Sequence, residues 1–368
     1  MKIVQIIPTL SSGGAQRITI DICNELSKKH DIFLIQIVSD SISHTTFYRN
    51  QLNNNIQYIN LKGTDKKVLD LMVLLPLYKK INEIKPDVVH SHLNIVYTFL
   101  PSIFYKKAKY FHTIHSHAAK ECISLKGYSL RNVIRFFYSK KLINAITISG
   151  ESKKSFEEFY KLDSPILIEN GCYPKVPTNK FEEVKEYIFN FKKNKDRLVF
   201  INIARCIEAK NHMLLVEVFN QLLSEDHNVL LLVIGSSFDT PFGLEIKKNA
   251  RPEIIFLGPK ENVTDYLLNS DVFCLSSLWE GLPISLLEAL STGCYPICTP
   301  VGGIPNVIVN SQLGLLSKSV SHEDFYTVIK KHLMSKSNID KEYIKNYFDE
   351  NFHIKKTVEK LSFFYLIQ

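Results

Sequence analysis

The sequence predicts an α/β protein made of two domains, each built around a parallel sheet. Short apolar runs alternate with amphipathic stretches of helical length in both halves of the chain, and this alternation is the pattern of βαβ units. The 368 residues are enough for two domains of ordinary size. With 45% hydrophobic and 22% charged residues the composition is globular, and no apolar run reaches the about 18 residues of a membrane span.

The first half is expected to alternate strands and helices. The predicted strands cover residues 2–7, 31–38, 57–61, 88–90, 109–114 and 145–149. The predicted helices cover residues 14–28, 68–84, 95–104, 130–140 and 151–159. Ligands of parallel sheets bind beyond the carboxyl ends of the strands, so we expect the chemistry in the loops that follow these strands.

The loop after the first strand, residues 8–17, contains Gly13 and Gly14. Glycines at the start of a helix let the backbone approach a ligand and direct N–H groups to an anion. The spacing matches neither G-x-G-x-x-G nor a Walker loop, and a plain turn is an equally good interpretation.

Histidines gather at the ends of two predicted strands. They are His90, His92, His112, His115 and His117. A metal site is one interpretation, but no nearby carboxylate or cysteine group completes it. A polar strand end is the simpler alternative.

The second half opens with an apolar strand over residues 197–205, and Lys210 follows at the start of a helix over 213–223. Arg205 and Lys210 beside the free N–H groups of a helix start suit a diphosphate. Further strands are expected at 229–235 and 254–257, further helices at 240–250 and 263–268, and only helix after Gly314.

The most informative stretch runs from residue 271 to 306. It predicts a buried strand over 271–275, a helix over 283–292 that stops at a glycine, and a short strand over 295–298. Pro283 suits the first helical position because its missing N–H would be unpaired there.

Two carboxylates flank the start of this helix. Glu280 lies in the turn before the helix, and Glu288 lies within it. A helix start attracts phosphate, and carboxylates accept hydrogen bonds from the vicinal hydroxyls of sugars and riboses. The pattern therefore suits a sugar nucleotide, and the alternative is a surface helix with ordinary acidic residues.

This stretch resembles the nucleotide-sugar signature of the retaining glycosyltransferases of family 4, which have the GT-B fold. The residues that match are Glu280, Gly281, Leu282, Pro283 and Glu288, followed by a Gly-Gly-x-Pro segment at 302–305. The resemblance spans nearly the whole chain and is looser in the first half, the half that recognises the acceptor in the family. It implies two Rossmann-like parallel-sheet domains that face a central cleft.

The resemblance implies a donor site in the second domain. Glu280 would contact the hydroxyls of the donor sugar, Glu288 would contact the ribose, and Gly281, Leu282 and Pro283 would line the same site. Arg205 and Lys210 would bind the donor diphosphate, and the loop that begins at Leu257 would contact the nucleobase with its backbone.

In the first domain, the resemblance assigns Gly13 and Gly14 to the donor diphosphate and His115 to a position beside the donor sugar. Ser116 follows this histidine where the family often has Asp or Gly. The acceptor-side candidates are Gln16, Arg17 and His92. The candidate catalytic residues are His115, Glu280, Arg205 and Lys210.

Four segments follow from these assignments. They are an acceptor-binding domain at 1–171, a linker at 172–196, a nucleotide-sugar-binding domain at 197–350 and a final helix at 351–368 that returns to the first domain.

The function implied by the resemblance is transfer of a sugar, with retention of configuration, from a UDP-sugar to a saccharide acceptor that is lipid-linked, in surface-polysaccharide or lipopolysaccharide synthesis. No cofactor or metal is expected, since no Asp-x-Asp occurs in the chain, and no nucleic-acid partner is expected. The alternatives are a non-catalytic nucleotide-binding protein of the same fold and a glycoside hydrolase that uses Glu280 and Glu288.

The charge is uneven along the chain. Residues 1–175 hold 24 Lys and Arg against 14 Asp and Glu, whereas residues 176–368 hold 21 against 23. We expect the basic half to meet an anionic membrane surface, with residues 99–110 and 130–141 as the contacting stretches, although compositional drift is an alternative. Seven scattered cysteines indicate a reducing compartment, so we expect a cytoplasmic protein on the inner face of the membrane.

Overall fold

The structure is a computed structural model, and it describes residues 1–42, 46–64, 71–122, 124–125, 128–163, 165–192, 196–335 and 339–367. The chain divides into two compact units. The first consists of Met1–Gly171 together with Ile354–Gln368, and the second of Cys172–His353. Both units are α/β, as the alternation of elements predicts.

The first unit is built on a seven-stranded parallel sheet. Its strands are β1 (Lys2–Ile7), β2 (Asp31–Val38), β3 (Gln57–Gly63), β4 (Val88–His92), β5 (Lys109–Ile114), β8 (Asn144–Thr147) and β9 (Ile166–Leu167). Their order is β3-β2-β1-β4-β5-β8-β9. The chain winds outward from the centre in both directions, so the order reverses between β1 and β4. Ligands bind at such a switch point, which here lies among the loops after β1 and β4.

The helices of this unit, in chain order, are α1 (Gly14–Leu26), α2 (Leu74–Ile84), α3 (Phe99–Phe104), α4 (Ala118–Glu121), α5 (Arg131–Ser139), α6 (Gly150–Tyr160) and the chain's last helix, α15 (Ile354–Ile367). A two-stranded antiparallel ribbon joins β6 (Ser124–Leu125) to β7 (Tyr128–Ser129). Of the helix predicted at 68–84, residues 68–70 lie outside the described part of the chain, and a 3₁₀ turn over Leu71–Val73 leads directly into α2.

The second unit has a six-stranded parallel sheet. Its strands are β10 (Leu198–Ile203), β11 (Val229–Ile234), β12 (Ile254–Gly258), β13 (Val272–Leu275), β14 (Tyr295–Cys298) and β15 (Leu315–Leu316). Their order is β12-β11-β10-β13-β14-β15, with the reversal between β10 and β13. The loops after these two central strands carry Arg205, Lys210 and Glu280, so the topology brings the predicted donor residues to one edge.

Eight helices of the described chain belong to the second unit. They are α7 (Phe181–Lys192), α8 (His212–Ser224), α9 (Pro241–Lys248), α10 (Val263–Leu268), α11 (Ile284–Thr292), α12 (Ile304–Val307), α13 (His322–Met334) and α14 (Lys341–Phe352). α11 ends at Gly293, whose φ of 72° is left-handed and suits glycine.

Two expectations differ from the structure. The chain after Gly314 is not only helical, because Leu315–Leu316 pairs with β14 as the last strand of the second sheet. A two-residue strand has no periodicity by which a sequence could reveal it. The segment 172–196, predicted as a linker, belongs to the second unit where it is described, and it contains α7.

Candidate active site

Glu280 lies in a buried turn between β13 and α11. Its side chain is enclosed by the protein, with 8% of the residue exposed. Its Oε1 accepts a hydrogen bond from Lys210 Nζ at 2.5 Å and one from Ser277 Oγ at 2.6 Å. Among the residues that the structure describes, the other carboxylate oxygen, Oε2, has no partner. The carboxylate is therefore held through one oxygen, and its other oxygen can accept a hydrogen bond from a hydroxyl group.

The sheet topology brings Lys210 to Glu280. The turn that carries Lys210 follows β10, and Asn211 in the left-handed conformation (φ 46°) directs the chain into α8. Ser276 Oγ contacts the carbonyl oxygens of Lys210 and Asn211 at 3.1 and 3.0 Å. The N–H of Leu278 donates to the carbonyl of Ala209 at 2.8 Å. The two loops are thereby joined, and the Lys210–Glu280 pair is a fixed part of this edge.

The Gly-Gly segment after β14 supports the same turn from behind. Gly302 has a φ of 63°, and a Cβ there would lie 2.5 Å from the carbonyl oxygen of Glu280. The N–H of Gly303 donates to the carbonyl of Gly281 at 2.6 Å. The sequence needs glycine at 302 because both the conformation and the space exclude a side chain.

Glu288 lies on the inner side of α11 with 7% of the residue exposed. Its Oε1 forms an ion pair with Lys175 Nζ at 3.0 Å, and both side chains are 10% exposed. Within the described residues its Oε2 has no partner. Each glutamate of the predicted motif is thus paired with one lysine through one oxygen.

Arg205 is the exposed cation of this edge. It follows β10, and within the described part of the chain its guanidinium has no protein partner. The backbone approaches closely here, since a Cβ at Gly235 would lie 1.9 Å from the carbonyl oxygen of Ala204. The loop that begins at Leu257 leaves β12 through Gly258, which has a φ of 69°, and Leu257 is half-buried.

The residues between the two glutamates are buried. Gly281, Leu282 and Pro283 show little exposed surface, and Pro283 is the extended residue immediately before α11 rather than its first helical residue. The start of α11 therefore has its first N–H groups without intrahelical acceptors, as every helix does. Together with Arg205 and Lys210 it makes an edge suited to an anion.

Three histidines of the first unit form a connected chain with Gln5. His92 Nε2 lies 2.8 Å from Gln5 Oε1, and His92 Nδ1 lies 3.1 Å from His115 Nε2. His90 stacks on His92 and pairs with Thr113 Oγ1 and with Tyr365 OH of α15. The predicted residues His92 and His115 are therefore in direct contact at the switch point of the sheet.

The tautomers of this chain follow from Gln5. With Gln5 Oε1 facing His92, His92 donates from Nε2 and accepts at Nδ1 from the Nε2–H of His115. That leaves Nδ1 of His115 as an acceptor, and it has no partner among the described residues. Burial lowers the pKa of His115 to about 3, so the ring is neutral near pH 7 and able to accept a hydroxyl hydrogen bond.

The other candidates of the first unit lie around α1. Gly13 is the extended residue before the helix, and the side chain of Gln16 folds over it, since a Cβ at Gly13 would lie 2.4 Å from Gln16 Oε1. Gly14 is the first residue of α1. Arg17 donates from Nε to Oδ2 of the buried Asp21 at 3.1 Å, forms an ion pair with its Oδ1 at 2.9 Å, and also donates to Gln51. Arg17 is therefore held by its own unit.

Sequence reasoning missed two charged residues near these sites. One is Lys175, for which no local signal exists. The other is Glu121 in α4, which accepts from Ser116 Oγ at 2.8 Å and whose Oε2 is a buried atom without a partner. Burial raises the pKa of Glu121 to about 7. Its position six residues after His115 in the chain was the available signal.

The fold places the chain among solved glycosyltransferases. It is similar to a glycosyltransferase from Rickettsia africae (TM-score 0.78, 19% identity, 99% of this chain and 97% of that one). It is also similar to Anabaena HepE in complex with UDP and glucose (TM-score 0.78, 15% identity, 99% of both chains). Two family models match the sequence, Glycosyltransferase Family 4 over residues 12–174 and Glycosyl transferases group 1 over residues 183–349. The chain is a GT-B glycosyltransferase.

The sequence relatives of this glycosyltransferase include two bacterial glycosyltransferases that match almost the whole chain. It is 27% identical to the Escherichia coli UDP-Gal:alpha-D-GlcNAc-diphosphoundecaprenol alpha-1,3-galactosyltransferase, over 99% of this chain and 95% of the relative. It is 24% identical to the Staphylococcus aureus capsular polysaccharide biosynthesis glycosyltransferase CapH, over 100% of this chain and 99% of the relative. The transferase prediction is confirmed, and the match disfavours the glycoside-hydrolase alternative.

Two further features of the described residues concern metal ligands and membrane-spanning helices. No group of three His, Cys, Asp or Glu side chains there has an arrangement that could hold a metal ion. None of the described helices combines the length and the apolar character needed to cross a membrane.

Proposed function

We propose that this glycosyltransferase moves a sugar from a UDP-sugar to a lipid-linked saccharide, with retention of the anomeric configuration, in the assembly of a bacterial surface polysaccharide. The observation that carries the proposal is the pair of buried glutamates, Glu280 and Glu288, each with one oxygen held by a lysine and one oxygen left to accept a hydroxyl. The UDP-sugar and the lipid-linked acceptor are taken from the E. coli relative, whose name gives both.

The donor would lie along the edge formed after β10 and β13. Glu280 would accept hydrogen bonds from the sugar and Glu288 from the ribose. Arg205, Lys210 and the start of α11 would bind the diphosphate, and the backbone from Leu257 onward would contact the base. These cations would stabilise the charge that develops on the departing diphosphate, which is the work a metal ion does in other transferases. We therefore propose that no metal is required.

The first unit would supply the acceptor side. His115 would accept a hydrogen bond from a sugar hydroxyl at Nδ1, because its neutral ring is fixed through His92. The Gly13–Gly14 backbone would approach the diphosphate, and Gln16 and Arg17 would border the acceptor. The departing diphosphate would itself take the acceptor's proton.

The proposal is tested by donor turnover. Incubation with a panel of nucleotide sugars should show slow donor hydrolysis with UDP-sugars, and faster turnover once an undecaprenyl-diphosphate-linked saccharide is added. EDTA should leave the rate unchanged. No turnover of any donor would favour the non-catalytic alternative, and a rate lost in EDTA and restored by Mg²⁺ or Mn²⁺ would overturn the metal-free mechanism.

We also propose that the first unit binds an anionic membrane surface on the cytoplasmic side. Large apolar side chains are exposed just before and at the start of α2, at the end of α3 and along α5, namely Met72, Leu75, Ile103, Phe104, Val133 and Phe136. Ring contacts join these helices, with Tyr78 beside Phe104 and Phe99 stacked on Phe137 at 4.1 Å. Lys79, Lys106, Lys107, Lys140 and Lys141 are exposed on the same three helices or directly after them.

Two arginines in the stretches expected to contact the membrane are bound to backbone carbonyls of the protein itself. Arg131 and Arg135 donate from Nε to the carbonyls of Phe159 and Tyr160, at 2.5 and 2.8 Å, at the end of α6. Cations there complement the carboxyl end of a helix. The lysines are therefore the better probes of lipid binding.

Replacing Lys106, Lys107, Lys140 and Lys141 with serine should weaken binding to vesicles that contain anionic lipid. Each lysine near such a surface contributes about 1 kcal/mol, so the partition coefficient should fall by at least about tenfold, while donor hydrolysis stays unchanged. The control replaces four exposed lysines of the second unit, Lys247, Lys248, Lys318 and Lys331. Equal binding to neutral and anionic vesicles would contradict the proposal.

A further inference from the structure

In the segment 172–178 the side chain of Lys175 points inward although its neighbours on both sides are exposed. Pro174, Val176 and Pro177 are exposed, with Val176 at 70%, whereas the Lys175 side chain is 10% exposed. A lysine so placed loses most of its hydration, which is unfavourable unless a partner compensates. The partner is Glu288, and the buried pair therefore needs an explanation beyond surface charge.

Both ends of this segment are fixed to the second unit. The N–H of Cys172 donates to the carbonyl of Phe352 at 3.0 Å. Thr178 donates from its backbone N–H and from Oγ1 to the fully buried carboxylate of Asp265, at 2.8 and 2.5 Å. Lys175 lies midway between these anchors, so the position of its ammonium group is set by the fold rather than by a flexible chain.

The ion pair involves one oxygen of Glu288 and leaves the other free. A buried pair of this kind is weak evidence for stability, since a well-packed apolar pair often does as well. The buried ion pair does fix the orientation of the carboxylate. The strength of a hydrogen bond from a hydroxyl to that carboxylate depends on this orientation. The Lys210–Glu280 pair has the same form, in which a lysine on Oε1 leaves Oε2 to a ligand.

We propose that Lys175 is a positioning residue for ribose recognition. It holds Oε1 of Glu288 so that Oε2 accepts a hydrogen bond from the ribose hydroxyls of the donor nucleotide. The consequence is that Lys175 sets the preference of the enzyme for ribonucleotides over nucleotides that lack these hydroxyls. This inference rests on the proposed donor site and adds to it a residue outside the Glu280–Glu288 motif.

The test compares the dissociation constants of UDP and 2′,3′-dideoxyuridine diphosphate. Wild type should prefer UDP by at least about tenfold, the ratio expected for one hydrogen bond to a charged group. Lys175→Met should reduce this preference to less than about threefold, and Lys175→Arg should keep most of it. A lysine that merely maintained the fold would alter both constants together and leave their ratio unchanged.

Glu288→Ala separates this inference from the proposed function. That variant should bind the two nucleotides alike, and adding Lys175→Met to it should not change the ratio further. The control is Lys192→Met, which removes a lysine 4.0 Å from Asp271 in the same unit and should keep the wild-type ratio. Thermal melting shows that each variant is folded.

Three outcomes would overturn the inference. If Glu288→Ala removed the preference and Lys175→Met kept it, Lys175 would have no positioning role and the donor site would stand. If Lys175→Met weakened both nucleotides equally, Lys175 would contact the phosphates instead. If wild type bound neither nucleotide or bound them alike, the proposed ribose site at Glu288 would fail together with this inference.

Discussion

Acidification from about pH 7 to about pH 5 is expected to unfold the first unit. The cause is the histidine group at the ends of β4 and β5. His90, His92 and His112 are at most 3% exposed, and burial, reinforced by their neighbouring histidines, holds the pKa of His90 and His92 well below the ordinary value of 6.5. Burial is also the main reason that the pKa of His112 and the pKa of His115 are lowered to about 3.

The direction of the effect follows from proton binding. In the unfolded chain these histidines take up protons below about pH 6.5, whereas in the folded chain they stay neutral. Protons therefore favour the unfolded state as the pH falls below 6.5, until the folded pKa is reached. Each histidine costs about 1.4 kcal/mol of unfolding free energy per pH unit, and the four together cost roughly 5 kcal/mol per pH unit. That approaches the whole stability of a typical domain.

Glu121 opposes this effect over part of the same range. Burial raises its pKa from 4.5 to about 7, so the folded state binds its proton more readily than the unfolded state does. Its contribution to stability is complete below about pH 4.5 and is lost as the pH rises through 7. One carboxyl group offsets about one of the four histidines, and the net result remains loss of stability in acid.

Hydrogen exchange measured along the chain at several pH values locates the effect. Protection of residues 88–92 and 109–114 should be lost at a higher pH than protection of the second sheet. Replacing His112 with asparagine should reduce the pH slope, while replacing the exposed His322 with glutamine should leave it unchanged. Uniform loss of protection in both units at one pH would contradict the assignment to these histidines.

Much of the edge that carries Arg205, Lys210 and Glu280 could be predicted from the sequence. The strand–turn–helix–strand pattern of residues 271–298 was predicted to within a residue, because a β-rich buried run, Pro283 and Gly293 are local signals. The nearness of Arg205, Lys210 and Glu280 also follows, since parallel topology places the loops after β10 and β13 together.

What the sequence could not reveal is pairing between distant residues. Lys175 lies far from Glu288 in the chain, and nothing in residues 172–178 marks one lysine as buried. Arg17 stays an acceptor-side candidate, but its pairing with the buried carboxylate of Asp21, one turn later in the same helix, was not predicted. The two-residue strand β15 was missed because its place depends on the sheet beside it.

Glu280→Ala is expected to reduce sugar transfer by at least about a hundredfold. The carboxylate is buried, so water cannot take its place as the hydrogen-bond acceptor for a substrate hydroxyl. Each hydrogen bond to a charged group contributes about 1.5 to 3 kcal/mol. The variant also leaves Lys210 without its partner at 2.5 Å, which disturbs the cation proposed for the diphosphate. Lys330→Met is the matched control. It breaks another lysine–glutamate pair, in which Lys330 lies 2.9 Å from Glu225, and this pair is half-exposed and far from Glu280 in the sequence.

In the proposed donor site the two glutamates divide the donor between them, Glu280 binding the sugar and Glu288 the ribose. Binding of UDP and of the complete UDP-sugar can be followed by the fluorescence of Trp279, the single tryptophan of the chain, which precedes Glu280. We expect Glu288→Ala to weaken both ligands by at least about tenfold. We expect Glu280→Ala to weaken mainly the complete donor, with a smaller effect on UDP through Lys210. If both variants bound UDP and the UDP-sugar as tightly as wild type does, the assignment of the donor site to this pair would be wrong.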